Sequence, residues 1–260
     1  MKRGLITWDE SEIPPAVFEQ RLATVRRELA ARDLPALIVY TDVWRSNQGR
    51  YLANFMPYWN RALLVIPRDS APVLLCGLSP RVYPWIRSVT IVEDIRPNMN
   101  LAKMREENGW TKIGVLDLPL VPYDLRIDNA TNIAWDAIHP EPDEAELAMY
   151  RRAARMARET LDVELRSGDR DIVSRLELKY RRAGAEDLVV RTHNGSVSVA
   201  LEYRGHWVKI ARPAPASTHV ELLSGPYPYE FCSESALTPG AIFAKNGETW
   251  RLGANGPELI

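Results

Sequence analysis

Apolar positions in the first 116 residues alternate between helical spacing and short buried runs. Phe18, Leu22, Val25 and Leu29 follow the pair Pro14-Pro15 at the spacing of one helix face, which predicts an amphipathic helix. Five apolar runs predict strands, at residues 36–40, 61–66, 73–75, 89–92 and 113–116, and the turn at 67–70 predicts a hairpin. A helix is predicted over residues 100–108, closed by Gly109. Strands that alternate with helices indicate an α/β layered domain.

The pattern changes after residues 119–142, which are rich in Pro, Asp and Asn. This stretch predicts a boundary between a domain at 1–140 and a second domain at 141–260. Asp143 with Glu146 is typical of a capping box at a helix start. Two helices are then predicted from apolar faces, the first with Leu147, Tyr150, Ala154, Ala157 and Leu161, and the second with Ile172, Leu176 and Tyr180. Period-two alternation over 196–203 predicts a half-buried antiparallel strand, and 220–223 a further strand.

Composition narrows the class of protein. The 260 residues are 46% hydrophobic and carry 33 basic and 34 acidic side chains, a net charge of -1. This balance gives no electrostatic reason to expect nucleic acid or an anionic membrane as a partner. Two cysteines, Cys76 and Cys232, do not form a disulfide framework. An early acidic N-terminus and the lack of a spanning apolar run predict a cytoplasmic protein without signal peptide or membrane helix.

Several motifs follow one another in the order of a known family. Residues 50–55, Arg-Tyr-Leu-Ala-Asn-Phe, precede an apolar strand, and residues 196–212 contain Tyr203, Gly205 and Arg212 in a strand pair. Residues 237–243 read Leu-Thr-Pro-Gly-Ala-Ile-Phe, and 256–260 read Gly-Pro-Glu-Leu-Ile. This order resembles the creatinase, prolidase and Xaa-Pro aminopeptidase family. The resemblance implies an α/β N-terminal creatinase-like domain followed by an α+β pita-bread domain, here shortened.

The metal ligands of that family are missing from the aligned positions. Ser198 and Lys209 stand where the resemblance implies two metal-binding aspartates, and no Asp occurs between Asp187 and Ile260. His219 lies in the region of the ligand histidine, but without the glycines that follow it in the family. Residues 244–246 and 252–255 offer no carboxylate where the two glutamates are implied. Since a divalent cation needs carboxylate or imidazole ligands in number, we expect no metal and no cofactor.

Three side chains are candidates for catalysis without a metal. His193 precedes the turn Asn-Gly, and His206 lies in the strand pair; each is a candidate general base. Its carboxylate partner is Glu202 or, as alternatives, Glu221 or Glu230. The alternatives are a histidine at a hairpin turn for His193 and a turn residue that faces water for His206.

Four further residues are candidates for binding. Lys209 and Arg212 form a candidate carboxylate site, or Lys209 neutralises nearby acids in a vacated metal site. Tyr203 and Tyr51 are candidate substrate contacts; Tyr51 lies in an aromatic segment that, in the family, approaches the site of a neighbouring subunit.

Three hypotheses follow from these residues. The first is a catalytically degenerate protein that acts as an interaction or regulatory subunit, as a homodimer or as a heteromer with a related subunit. The second is a metal-free hydrolase or lyase of a small polar C–N substrate, similar to creatinase, with His193 or His206 as the base. The third is a binding module for a small polar or carboxylate ligand. The sequence favours the first.

Overall fold

The computed structural model describes residues 7–57, 60–125, 127–167, 171–193, 195–213, 220–223 and 230–260, with backbone alone at 167, 230–232 and 234. His219 therefore lies outside the described residues, as do Tyr58 and Trp59 of the aromatic segment that contains Tyr51. The chain divides into two compact units, one within residues 3–140 and one within residues 141–260. No helix in the described ranges is long and apolar enough to cross a membrane.

The first unit is a six-stranded mixed sheet with helices. Its helices are α1 (Pro15–Ala31), α2 (Asn47–Ala53), α3 (Tyr83–Val89) and α4 (Leu101–Asn108). Its strands are β1 (Ala36–Thr41), β2 (Ala62–Pro67), β3 (Val73–Cys76), β4 (Asp94–Pro97), β5 (Ile113–Leu116) and β6 (Ala130–Ile133). The strand order is β4-β3-β2-β1-β5-β6. Strand β2 runs antiparallel to β1 and β3, whereas β1 pairs with β5 in parallel.

Burial explains why the apolar runs of this unit became strands. Every residue of β1, β2 and β3 is buried, as expected for central strands with both faces covered. The predicted hairpin between β2 and β3 is confirmed, with Val65 paired to Val73. Helix α4 also begins and ends as predicted, because the Asn100 side chain accepts from the Lys103 N–H and Gly109 adopts a left-handed conformation at the end.

One predicted strand is wrong. Residues 89–92 are rich in β-branched side chains, yet Val89 is the last residue of α3. Ile86 and Val89 are buried on one face of this helix, so their burial against the core overrides the local preference for a strand. The edge strand forms later, at β4, where only Ile95 is buried.

The second unit has two helices and two sheets. The helices are α5 (Glu144–Ser167) and α6 (Ile172–Arg182). One sheet holds β7 (Asp187–His193), β8 (Ser196–Tyr203) and β9 (His206–Arg212) in the order β7-β8-β9. The other holds β10 (Val220–Leu222), β11 (Glu230–Cys232), β12 (Ile242–Lys245), β13 (Glu248–Gly253) and β14 (Gly256–Leu259), in the order β11-β10-β12-β13-β14.

The start of α5 is fixed by the predicted capping box. The Asp143 side chain accepts from the Glu146 N–H at 2.9 Å, and the Glu146 carboxylate accepts from the Asp143 N–H at 3.0 Å. Each side chain thus satisfies a backbone donor that the first helical turn leaves open. The predicted apolar face of α5 is confirmed, since Leu147, Ala154 and Leu161 are buried.

Strands β8 and β9 form a hairpin whose register places the candidate residues. Arg204 and Gly205 both have positive φ, 52° and 85°, which suits a two-residue turn that matches the twist of the strands. Tyr203 pairs with His206, and the ladder runs to Val197 opposite Arg212. Strand β8 is half-buried, as predicted, only over its first residues, where Ser196 and Ser198 are partly exposed. Further along, Ala200 and Glu202, which point to the same side as these serines, are buried as well.

Candidate functional site

The hairpin β8–β9 has two faces that carry different candidate residues. Side chains alternate along a strand, and residues directly opposite in an antiparallel pair lie on the same face. We call the first set the helix face; it comprises Val197, Val199, Leu201, Tyr203, His206, Val208, Ile210 and Arg212. We call the second set the far face; it comprises Ser198, Ala200, Glu202, Trp207, Lys209 and Ala211.

Helix α5 covers the helix face and contacts His206. The His206 ring meets the edge of the Tyr150 ring at a centroid distance of 4.8 Å. Its Nε2 lies 3.8 Å from Glu146 Oε1, and its side chain is 13% exposed. Nδ1 is buried and has no hydrogen-bond partner among the described residues. The alternative of a histidine that faces water is therefore wrong, because the ring packs between the hairpin and the helix start.

Tyr150 keeps its phenol protonated at neutral pH. Burial is the main cause that raises the pKa of its phenol, and the charge of Glu146 raises it further. The phenol therefore stays neutral beside His206 and serves as packing surface.

Tyr203 and Arg212 belong to the same face and have structural partners. Tyr203 is 4% exposed, and the Arg152 guanidinium lies over its ring at 5.1 Å. Arg212 Nε lies 3.2 Å from Asp162, and its NH2 donates to Glu248 at 2.6 Å. The guanidinium is thus held by two carboxylates. Their negative charges offset its positive charge, which disfavours the binding of a further carboxylate.

The far face carries an ion pair at the position where the resemblance implies a metal ligand. Lys209 Nζ donates to Glu221 Oε1 of β10. The lysine side chain is 23% exposed and the glutamate side chain 16%. Glu221 Oε2 is buried and has no hydrogen-bond partner among the described residues. Of the two alternatives for Lys209, its contact with Glu221 favours neutralisation of a nearby acid over a free carboxylate site.

The backbone at Lys209 is fixed by the neighbouring strand. Thr249 Oγ1 accepts from the Lys209 N–H at 2.9 Å and donates to the Lys209 carbonyl at 2.9 Å. Thr249 is fully buried. Both backbone polar groups of Lys209 are therefore satisfied by one hydroxyl, which holds the residue in place on β9.

Glu202 and His193 share the far face but are not neighbours. Glu202 is 2% exposed and lies opposite Asp187 and Trp207 on the flanking strands. His193 is exposed and lies opposite Ser196 at the other end of β8. Ser196, opposite His193, and Glu202 are six steps apart along β8, about 20 Å at the usual rise. His206 is on the opposite face, so the structure brings no two of the three catalytic candidates together.

Tyr51 is part of an aromatic cluster in the first unit. Its ring meets Trp135 at 5.2 Å and His139 at 4.7 Å, both edge to face. The Arg21 guanidinium stacks over the ring at 4.0 Å and donates to the Tyr51 carbonyl at 2.8 Å. These contacts give Tyr51 a packing role, and its proposed role in substrate binding stays a prediction.

The donor set of the far face does not fit a divalent cation. Ser198 offers a hydroxyl, and Lys209 offers an ammonium that repels a cation. In the part of the chain that the structure describes, no group of three His, Cys, Asp or Glu side chains lies close enough to hold an ion. Glu221 Oε2 accepts no hydrogen bond from the described residues, but one carboxylate next to an ammonium is not a metal site.

Sequence reasoning missed one residue of this site, Thr249, and the contacts of two others, Glu221 and Glu146. Glu221 and Thr249 lie 12 and 40 positions from Lys209 and contact it only because β10 and β13 fold back. Glu146 was read as a cap alone, although one of its oxygens also faces His206. A signal existed for Glu221, a carboxylate in a predicted strand, but its strand partners could not be read from local patterns.

Comparisons with known proteins place this fold. No protein-family model matches the sequence, and a comparison with curated proteins found no match. Solved structures do match. The Xaa-Pro dipeptidase from Bacillus anthracis aligns over 93% of this chain and 97% of its own, with TM-score 0.62 and 14% identity.

Two further structures agree with the first. The prolidase from Pyrococcus furiosus aligns over 92% of this chain and 98% of its own, with TM-score 0.63 and 10% identity. The dipeptidase PepE from Mycobacterium ulcerans aligns over 98% and 96%, with TM-score 0.63 and 11% identity. At such identities the likeness concerns the fold and not the activity. The chain therefore has the pita-bread fold of the prolidases and Xaa-Pro dipeptidases, with an α/β N-terminal unit, as the sequence resemblance predicts.

Proposed function

We propose that this protein is a catalytically degenerate relative of the prolidase fold that acts as an interaction or regulatory subunit without a dimetal site. The observation that carries the proposal is the ion pair between Lys209 and Glu221 on the far face. An ammonium held against a carboxylate on this strand opposes the binding of a divalent cation, and Ser198 supplies no charge to offset it.

The proposal includes an assembly and a compartment. We propose a homodimer, or a heteromer with a related subunit, in the cytoplasm. The net charge of -1 supports partners other than nucleic acid or an anionic membrane. The proposal also includes a small polar or carboxylate ligand, which would bind the exposed part of the Lys209 side chain, 23% of its surface. Arg212 is the weaker candidate for this role, because it already has two carboxylate partners.

The metal-free enzyme is the weaker alternative. It needs a histidine and a carboxylate that converge on one substrate. His206 and Glu202 lie on opposite faces of the hairpin, and His193 lies about 20 Å from Glu202 along the strand. The carboxylate of Glu146 lies 3.8 Å from His206, but it also caps α5. No observation favours this pair as a base and its partner over a structural contact.

Metal content and peptidase activity test the proposal together. The purified protein is incubated with Mn²⁺, Co²⁺ or Zn²⁺, freed of excess ion and analysed for bound metal, and then assayed with Xaa-Pro dipeptides. We expect no stoichiometric metal and no hydrolysis. One or two ions per chain with hydrolysis would overturn the proposal. Hydrolysis that persists in chelator would instead support the metal-free enzyme, and loss of that activity in His206→Gln would locate its base.

A further inference from the structure

The sheets of this protein end in edge strands, and most of these edges are protected. An edge strand presents unpaired backbone N–H and C=O groups, and proteins limit its pairing with short strands, proline or a covering element. The edge strands β4, β6, β11 and β14 have only three or four residues each, and β4 and β14 also include Pro97 and Pro257. The outer edge of β9 is covered, because the Gly247 carbonyl next to β13 accepts from the Ala211 N–H at 3.0 Å.

Strand β7 is the exception. It has seven residues, and among the described strands it pairs with β8 alone. It contains no Pro or Gly, and three of its side chains, Val189, Val190 and Thr192, are β-branched. The two valines are half-buried, and the last three residues of the strand are exposed. The outer edge of β7 is thus long and regular, with side chains that favour strands, which are the properties of an edge that accepts a further strand.

We infer that β7 is the interface of a homodimer, in which it pairs antiparallel with β7 of a second copy of this chain. The inference rests on the homodimer of the proposed function and names its contact surface. A two-fold axis brings the same strand of two copies together in opposite directions, so one edge serves as both halves of the contact. The pairing joins the two sheets β7-β8-β9 into one continuous sheet and gives partners to the backbone groups on the outer edge.

The charges on β7 favour one register, in which Val190 lies opposite the partner's Val190. All seven residues of each strand are then paired. Asp187 lies opposite the partner's His193 and diagonal to the partner's Arg191, so an acidic side chain faces basic ones at both ends of the contact. A register centred on Arg191 would place two arginines opposite each other, which is unfavourable. One centred on Val189 would leave the last two residues of each strand outside the contact.

The surroundings of Asp187 support this pairing. Its side chain is 13% exposed and lies 3.7 Å from Arg181, farther than a hydrogen bond. Its Oδ1 accepts from the Leu188 N–H at 2.9 Å. A carboxylate that is mostly removed from water gains from a further donor, because its desolvation is costly. The exposed His193 ring of a second copy supplies such a donor, since an imidazole carries an N–H in either charge state.

Disulfide crosslinking tests the interface and its register. Val190→Cys and Thr192→Cys are each made in a full chain that also carries Cys232→Ser, and are treated with oxidised glutathione. In the inferred register the two Val190→Cys thiols are on directly opposite residues, whose Cα atoms are about 4.5–5.5 Å apart, within the range of a disulfide. Those of Thr192→Cys are four steps apart, about 13 Å along the strands. We expect a linked dimer on a non-reducing gel from Val190→Cys and none from Thr192→Cys.

Sedimentation of unmodified chains gives a second, independent readout. Wild type should sediment as a dimer. His193→Asp places a carboxylate opposite Asp187 of the partner subunit at both ends of the contact, and should weaken the dimer by about tenfold or more. His193→Lys is the matched control, because it keeps a cationic donor and should stay close to wild type. The side chain at 193 is exposed, so both variants should keep the wild-type circular dichroism spectrum.

The outcomes separate this inference from the proposed function. A wild-type dimer in which Val190→Cys forms no link, or Thr192→Cys links equally well, would overturn the inference and leave the proposed homodimer standing. The same holds if His193→Asp dimerises as tightly as His193→Lys. A wild-type chain that sediments as a monomer would overturn both the inference and the homodimer, whereas the proposed lack of a dimetal site depends on metal content and not on this result.

Discussion

The central sheet of the first unit and the β8–β9 hairpin of the second are buried with different chemistry. Strands β1 to β3 are buried throughout and carry almost only apolar side chains, with Thr41 as an exception. The hairpin is also largely buried, yet it includes Glu202, Lys209 and Arg212, which need partners from other elements. The side chains of the first sheet need only apolar neighbours, whereas those of the hairpin include charges that also need counter-charges. Such pairs add little net stability, but removal of one partner leaves the other charge buried without its counter-charge, which is costly.

The largest expected effect tests the apolar side of this comparison. Leu64 is fully buried in the core of the first unit. Leu64→Ala should lower the free energy of unfolding by about 2–5 kcal/mol, from lost burial and the cavity that remains. Urea unfolding monitored by circular dichroism gives the value. Leu120→Ala is the control, because that side chain is 49% exposed and its removal should change little.

The next effect concerns a charged residue of α5 and its pH dependence. Glu164, whose side chain is 1% exposed, contacts Lys179 and also Arg175 at 2.7 Å. The hydrogen bond from Lys179, with the nearby charge of Arg175, holds the pKa of Glu164 below its usual value. Its stabilisation is therefore present above the unfolded-state pKa and lost as pH falls through the folded-state pKa. Glu164→Gln should cost about 1.5–3 kcal/mol at neutral pH.

Acid unfolding of this variant sharpens the test. Its loss of stability relative to wild type should shrink as pH falls, because wild type also loses the carboxylate charge. Glu177→Gln, an exposed change on α6, serves as the control. A difference from wild type that stays constant from neutral to acid pH would show that the pair does not contribute as described.

A double-mutant cycle tests the pair on the far face. Glu221→Gln leaves the Lys209 ammonium partly buried without its counter-charge, and should cost about 1–3 kcal/mol. The double variant, Lys209→Met with Glu221→Gln, should recover part of that loss, because it removes the unpaired charge; Lys209→Met alone completes the cycle. Chemical denaturation of the single and double variants measures the coupling. Additive losses would mean that the two side chains do not interact in solution.

The smallest effect is at the start of α5. Asp143→Ala removes the side-chain acceptor for the Glu146 N–H and should cost about 0.5–2 kcal/mol. Hydrogen exchange should show faster opening in the first turn of α5 and no change in β1 to β3. Glu144→Ala is the matched control, since that side chain is 87% exposed and lies 3.8 Å from Arg151 on the helix surface. Equal losses in both variants would argue against the cap.

Local rules predicted the elements that local chemistry determines. The capping box of Asp143 and Glu146 and the closure of α4 at Gly109 depend on residues a few positions apart, and both are confirmed. The hairpin between β2 and β3 belongs to the same class. The strand predicted at 89–92 failed because burial of Ile86 and Val89 on one helix face outweighs β-propensity.

The candidate site was harder to predict because it depends on faces and on distant strands. The motif around Tyr203 and Gly205 located the hairpin, and the alternation of side chains then separates His206 from Glu202. Sequence reasoning could have found that separation. In a hairpin with the two-residue turn 204–205, His206 pairs with Tyr203, and the preceding residue, Glu202, must point to the other face. The contact of Lys209 with Glu221 could not be predicted in this way. It depends on how the sheet that holds β10, β12 and β13 packs next to β9.

Glu146 links two parts of the second unit through one carboxylate. One oxygen accepts the Asp143 N–H at the helix start, and the other lies 3.8 Å from His206 in the β8–β9 hairpin. A substitution at either position changes the surroundings of the other. Positions 146 and 206 should therefore covary across related sequences, with a carboxylate at 146 wherever 206 carries a basic ring. Sequences that keep Glu at 146 for capping alone would be expected to place an uncharged, well-packed side chain at 206.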